Sequence, residues 1–232
     1  MHAWIDFAKG PLFAFTFLIM TLGLARLVVI QVYSIVKGKG RRLGNTPWRR
    51  ILAEAAEWVV PVRHLIPETK LFSAVSYLFH IGVLVVPLLL AEHIALWERL
   101  LHVRLPRIGA GVADFLTLFT IACILVLSGY RAFCGRLRAM SRPADYGLLV
   151  AILVPFASGY LAMHPQYNPF PWPVVMLAHL LSAALLFLLI PFSKLSHIVL
   201  FFFDRISALH WQLRPGAGEK IAEVLYGEEA RV

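Results

Sequence analysis

The sequence predicts an all-α integral membrane protein with five transmembrane helices. Three observations carry that reading. Hydrophobic residues fill 59% of the 232 positions and charged residues only 15%, and mean hydropathy is +0.74. A soluble domain is about 45–50% apolar and about 25% charged. The apolar residues gather into runs of the length a span needs, about 20 residues. The basic residues sit in the loops between those runs, so the net charge of +9 reads as membrane topology and not as nucleic-acid binding. The two cysteines, Cys123 and Cys134, fall in or at the end of one run. They make no disulfide framework, and no Cys-x-x-Cys-His motif marks a covalently attached haem.

The spans are expected at Leu12–Val36, Phe72–Trp97, Val112–Phe133, Tyr146–Met163 and Pro173–Phe203. The first lacks a basic leader and a small-residue cleavage site, so it is expected to stay as a permanent span. The last is long enough to project beyond the bilayer. Orientation follows from the loops. Lys37, Lys39, Arg41, Arg42, Arg49, Arg50, Arg63 and Lys70 lie between spans one and two, and Arg131, Arg136, Arg138 and Arg142 around the connection from span three to four. The other side carries fewer basic residues. The positive-inside rule then predicts an external N-terminus and a cytoplasmic C-terminus in a prokaryotic inner membrane.

Two segments read as peripheral. Thr46-Pro47 is a helix start, and the stretch to about residue 65 mixes Trp48, Ile51, Leu52, Trp58 and Val59 with Arg49, Arg50, Glu54 and Glu57. That pattern suits a helix lying on the cytoplasmic membrane face. Residues 1–203 are therefore expected to form one membrane domain, and residues 204–232 a polar tail that docks a soluble partner or is simply solvated.

Of nine histidines, four fall within or at the ends of two spans: His80 and His93 in the second, His179 and His197 in the fifth. An ionisable group inside the bilayer is costly and marks a functional site by default. A neutral imidazole on iron escapes much of that cost, because the metal takes one nitrogen and a backbone carbonyl the other. Span two rises outward and span five returns, which pairs His80 with His197 and His93 with His179. Thirteen residues separate the first two by about 20 Å and eighteen separate the last two by about 27 Å. Two haems stacked through a core about 30 Å thick fit that ladder. Eighteen residues is a whole number of turns. Thirteen is not, so Pro87 must kink or rewind span two. The opposing reading is four isolated histidines hydrogen-bonded between helices. Taken together, at matching depths, the four favour ligation.

These residues also carry a resemblance. Phe79-His80-Ile81-Gly82, Pro87 and Glu92-His93-Ile94 resemble the second span of the gamma subunit of respiratory nitrate reductase and its relatives. Met176-Leu177-Ala178-His179 and Ile190-Pro191-Phe192-Ser193-Lys194-Leu195-Ser196-His197 resemble the fifth span of that family. Pro155-Phe156-Ala157-Ser158-Gly159 with His164-Pro165 resembles variants in the transmembrane redox complexes of sulfate-reducing bacteria. The resemblance implies a dihaem b-type cytochrome with haem ligands His80, His93, His179 and His197. It implies electron exchange between membrane quinone (menaquinone or ubiquinone) and a cytoplasmic iron–sulfur or catalytic partner. The wider spacing in span two points to a relative serving a catalytic module other than nitrate reductase proper. Such a subunit is a quinol dehydrogenase module without a terminal substrate of its own.

Other residues are weighed beside these. Arg26, deep in span one, is placed either to pair with a haem propionate or to snorkel to the headgroups. A quinol oxidised near the external haem gives up two protons, and Glu92, Arg99, His102 and His164 are the candidate acceptors. Two alternatives stay open: a small transporter relaying protons through its intramembrane histidines and Glu92, and a haem-free membrane anchor.

Overall fold

The computed structural model describes residues 1–39, 48–57, 70–102, 105–212 and 216, and within them every regular element is helical. Among the described residues five helices are long and apolar enough to cross a membrane: His2–Lys37, Leu71–Leu89, Ala110–Phe133, Pro143–Met163 and Trp172–Phe192. The chain divides into two compact units, Met1–Ile19 with Leu65–Leu189 and Met20–His64 with Ile190–Val232.

The first span begins earlier than the sequence reading placed it. Helix α1 (His2–Phe7) runs through a π-helical turn, Ala8–Leu12, into α2 (Phe13–Lys39). Pro11 lies inside that turn. A proline lacks the N–H for a regular helical bond, and a one-turn widening absorbs the defect.

In the first unit, α4 (Lys70–Leu89), α6 (Ala110–Phe133), α8 (Pro143–Met163) and α9 (Trp172–Phe192) run alternately up and down. Side chains fix each antiparallel register. Phe72 meets Tyr130 and Gly82 meets Thr120 between α4 and α6. The Tyr146 hydroxyl donates to the Arg131 carbonyl at 2.8 Å, and His164 meets Asp114 at 3.3 Å, between α6 and α8. The Trp172 indole donates to the Ala162 carbonyl at 3.0 Å between α8 and α9. A Cβ on Gly82 would collide with the Thr120 hydroxyl, which is why α4 and α6 approach so closely there. The buried hydroxyls are satisfied within their own helices: Thr16 on Leu12, Thr120 on Leu116 and Ser158 on Val154, as groups in a membrane must be.

The second expected span is not continuous. Helix α4 ends at Leu89, Leu90 is extended at φ −64° and ψ 132°, and a separate helix α5 (Ala91–Leu101) follows. Leu90 pairs with Ile108 in an isolated bridge, the Ile108 N–H donating to the Leu89 carbonyl at 3.0 Å. The fifth expected span is also interrupted. Helix α9 stops at Phe192, a 3₁₀ turn covers Lys194–Ser196, and α10 (His197–Gln212) begins at the histidine. The Ser193 side chain caps that turn by accepting from the Leu195 N–H. Helix α10 thus carries helical structure past Asp204, where the sequence reading placed a polar tail.

In the second unit α3 (Trp48–Glu57) lies against α10. Ile51 is fully buried, while Arg49, Arg50 and Glu57 are exposed. This covers the first part of the expected interfacial helix; Thr46-Pro47 and residues 58–65 lie outside the described residues. Gly23 of α2 sits against the Pro191 ring, where a Cβ would come within 2.5 Å.

Candidate functional site

The interruption after Pro87 builds the site. In an unbroken helix the Pro87 carbonyl would take the N–H of Ala91. The extended Leu90 releases it, and two side chains of α5 replace the lost donor. The His93 imidazole donates through Nδ1 at 3.2 Å, and the Trp97 indole through Nε1 at 3.1 Å. A carbonyl at the end of a helix in lipid needs such partners.

His179 is oriented in the same way from another helix. Its Nδ1 donates to the Pro155 carbonyl of α8 at 2.8 Å. Gly159, one turn further along α8, makes room for the ring. A Cβ there would stand 2.9 Å from His179 Cε1 and 3.0 Å from Nδ1. The two imidazole ring centres are 6.0 Å apart and their planes 10° from parallel.

This arrangement fits a metal held between two imidazoles. A metal–imidazole bond is about 2 Å and the ring centre lies about 1 Å beyond, so two axial ligands hold their centres about 6 Å apart. Each Nδ1–H is committed to a carbonyl, which leaves the lone pair of the neutral ring on Nε2. The donor set is two nitrogens, as in a low-spin b-type haem, and not a multi-ligand cage. Among the described residues no group of three or more His, Cys, Asp or Glu is gathered to hold a bare ion.

An aromatic wall adjoins the pair. Phe13 and Phe17 of α2, Trp97 of α5 and Phe187 of α9 pack with centroid distances from 5.4 to 6.4 Å. Rings of this kind keep water from a site while offering no competing ligand.

The remaining candidates are dispersed. His80 lies at the middle of α4, its Nδ1 on the Ser76 carbonyl at 2.6 Å; His197 opens α10, its Nδ1 on the Lys194 carbonyl at 2.7 Å. Both rings therefore present the same tautomer as the other pair. His80 belongs to the first unit and His197 to the second. Arg26 also lies in the second unit, exposed on α2. Glu92 and Arg99 are exposed on α5. His102 ends that helix in the left-handed conformation at φ 55°. His164 closes α8, half-buried, paired with Asp114. The pattern of residues singled out the histidines as candidates. It did not foretell the Pro87 and Pro155 carbonyls, Trp97, Gly159 or Asp114, whose roles depend on contacts between helices far apart in the chain.

The chain is 31% identical over 208 residues to a protein of Nitratidesulfovibrio vulgaris strain Hildenborough, a match that covers 86% of this chain and 89% of that one. The chain belongs to the family of that protein. The relative's name, Protein, states no activity. No family model matches the chain, and no solved structure matches it. The family thus adds kinship over nearly the full length, and the chemistry has to be argued from the site.

Proposed function

We propose that the chain is a membrane dihaem b-type cytochrome subunit, similar to the gamma subunit of respiratory nitrate reductase. It carries electrons between menaquinol or ubiquinol and a cytoplasmic iron–sulfur or catalytic partner. It resides in a prokaryotic inner membrane with its N-terminus outside. The observation that carries the proposal is the His93–His179 pair: near-parallel rings 6.0 Å apart, each anchored through Nδ1 to a proline carbonyl.

In this reading His93 and His179 hold the outer haem, and His80 and His197 the inner one. Bound haem supplies one-electron redox chemistry. The protein's part is to hold the imidazoles as neutral Nδ1–H tautomers, to fix their planes, and to keep water out with Phe13, Phe17, Trp97 and Phe187. Arg26 is suited to a propionate or to lipid headgroups. The basic residues of α7 (Gly135–Met140) and its flanks, Arg136, Arg138 and Arg142, are exposed and form the cytoplasmic face offered to an acidic partner.

The test is a reduced-minus-oxidised spectrum with haem quantitation on the purified chain. Two b haems per chain with six-coordinate, low-spin iron are expected. His179→Ala is expected to leave one. A colourless protein, or a His179→Ala variant with both haems, overturns the proposal.

A further inference from the structure

His164 and Asp114 form a second, separate arrangement at the end of the bundle where α8 closes and α6 begins. His164 Nδ1 donates to the Tyr160 carbonyl at 2.9 Å, and Nε2 stands 3.3 Å from Asp114 Oδ2. With Nδ1 committed to that carbonyl, Nε2 is the ring nitrogen that Asp114 meets. The Asp114 side chain is 41% exposed and that of His164 only 16%. The carboxylate therefore has an open oxygen, and the imidazole behind it fixes its position.

Planar rings border the dyad. The rings of Tyr160 and His164 stack at 4.1 Å and 21°, and Tyr167 lies 6.2 Å from His164 and 6.5 Å from Tyr160, within 30° of both. Tyr167 is exposed. Three nearly parallel rings with an exposed outer face make a platform for a flat aromatic molecule. The groups facing His164 are Asp114 from α6, Tyr160 from its own helix and Tyr167 from the following turn. The platform is close to the imidazole pair along the chain: Gly159, which touches His179, precedes Tyr160 directly and His164 by five residues, about 8 Å of helix.

Resting on the quinol role proposed above, we propose that Tyr160, His164, Tyr167 and Asp114 form the docking and proton-accepting site for the quinol headgroup. The headgroup lies on the tyrosine–histidine platform with one hydroxyl toward Asp114. Oxidation removes two electrons and two protons from the quinol to give quinone. Ferric haem, if held by the imidazole pair, would be the one-electron oxidant that takes them in turn. The O–H bond that faces Asp114 breaks heterolytically and its proton passes to the carboxylate and from there to water; the second hydroxyl, on the opposite edge of the ring, gives its proton to water directly.

The experiment uses the full chain in nanodiscs, reduced either by menadiol or by dithionite. Dithionite delivers electrons without a hydroxyl to deprotonate. Asp114→Asn and His164→Gln are expected to keep the haem spectrum and the dithionite rate and to slow reduction by menadiol at least tenfold. Asp114→Glu is expected to recover part of that rate. A redox-induced infrared difference spectrum is expected to show a carboxylic C=O band in the native chain that Asp114→Asn lacks. An unchanged menadiol rate in Asp114→Asn, or an equal loss with both reductants, overturns the site. Menadione binding, followed by quenching of protein fluorescence, decides independently of haem. Saturable binding weakened at least tenfold in Tyr167→Ala supports the site. Equal binding by both proteins overturns it even if the chain holds no haem, an outcome that separately overturns the cytochrome proposal.

Discussion

At the scale of single residues, the imidazole pair depends on a position that carries no functional group. Gly159 is there because anything larger would occupy the space of the His179 ring. Gly159→Ala forces the imidazole off the Pro155 carbonyl or moves α8. Overpacking of this kind costs about 1–3 kcal/mol, and the expected outcome is a fall from two haems to one per chain, measured by pyridine haemochrome, with a lowered melting temperature. Retention of both haems would sink the cradle role. The histidines were legible in the sequence because an ionisable residue within a greasy run is conspicuous. Gly159 entered the sequence reading only as the last residue of the Pro155–Gly159 motif, and Asp114 not at all. Their meaning lies in what stands opposite them, and that is set by helix registers that no spacing along the chain encodes.

At the scale of elements, Pro87 shows how a defect becomes a device. The sequence demands some distortion, since thirteen residues leave His80 and His93 on different faces of a regular helix. The structure supplies more than a kink: the helix ends, Leu90 is extended, and His93 returns on a separate amphipathic helix. A kink was legible from the proline alone. The full break was not, because it is held by the Leu89–Ile108 hydrogen bond and by the His93 and Trp97 side chains. Replacing Pro87 with Ala restores an N–H for Val83 and removes a ring that disfavours the helix by about 3 kcal/mol. The helix is then expected to run through Leu90, Ala91 to reclaim the Pro87 carbonyl, and His93 to swing away from His179. On the dihaem proposal, haem quantitation is expected to register one haem fewer than in the native chain; an unaltered content would show that the break is incidental. The end of α9 at Phe192 belongs to the same class. Pro191 lies just before it, and the 3₁₀ turn that leads to a new helix at His197 depends on the Ser193 cap.

At the scale of the whole molecule, the five spans were the most legible feature, because hydrophobic length is a local property and the bilayer permits little else. Their direction is a different matter: it depends on which side of the membrane receives the basic loops, and the redox reading needs quinol protons released outside and electrons delivered inside. The two cysteines offer a clean test. Cys123 is buried within α6, whereas Cys134 is exposed just beyond its end, beside Arg136 and Arg138. With the N-terminus outside, the third span runs inward and Cys134 faces the cytoplasm. A membrane-impermeant maleimide is therefore expected to leave intact spheroplasts unlabelled and to modify Cys134 in inverted vesicles, and Cys134→Ser to abolish the labelling of the vesicles. Labelling of intact spheroplasts at Cys134 would invert the topology. It would put the His93–His179 pair and the Asp114 carboxylate on the cytoplasmic side, and quinol oxidation there could release no protons to the exterior.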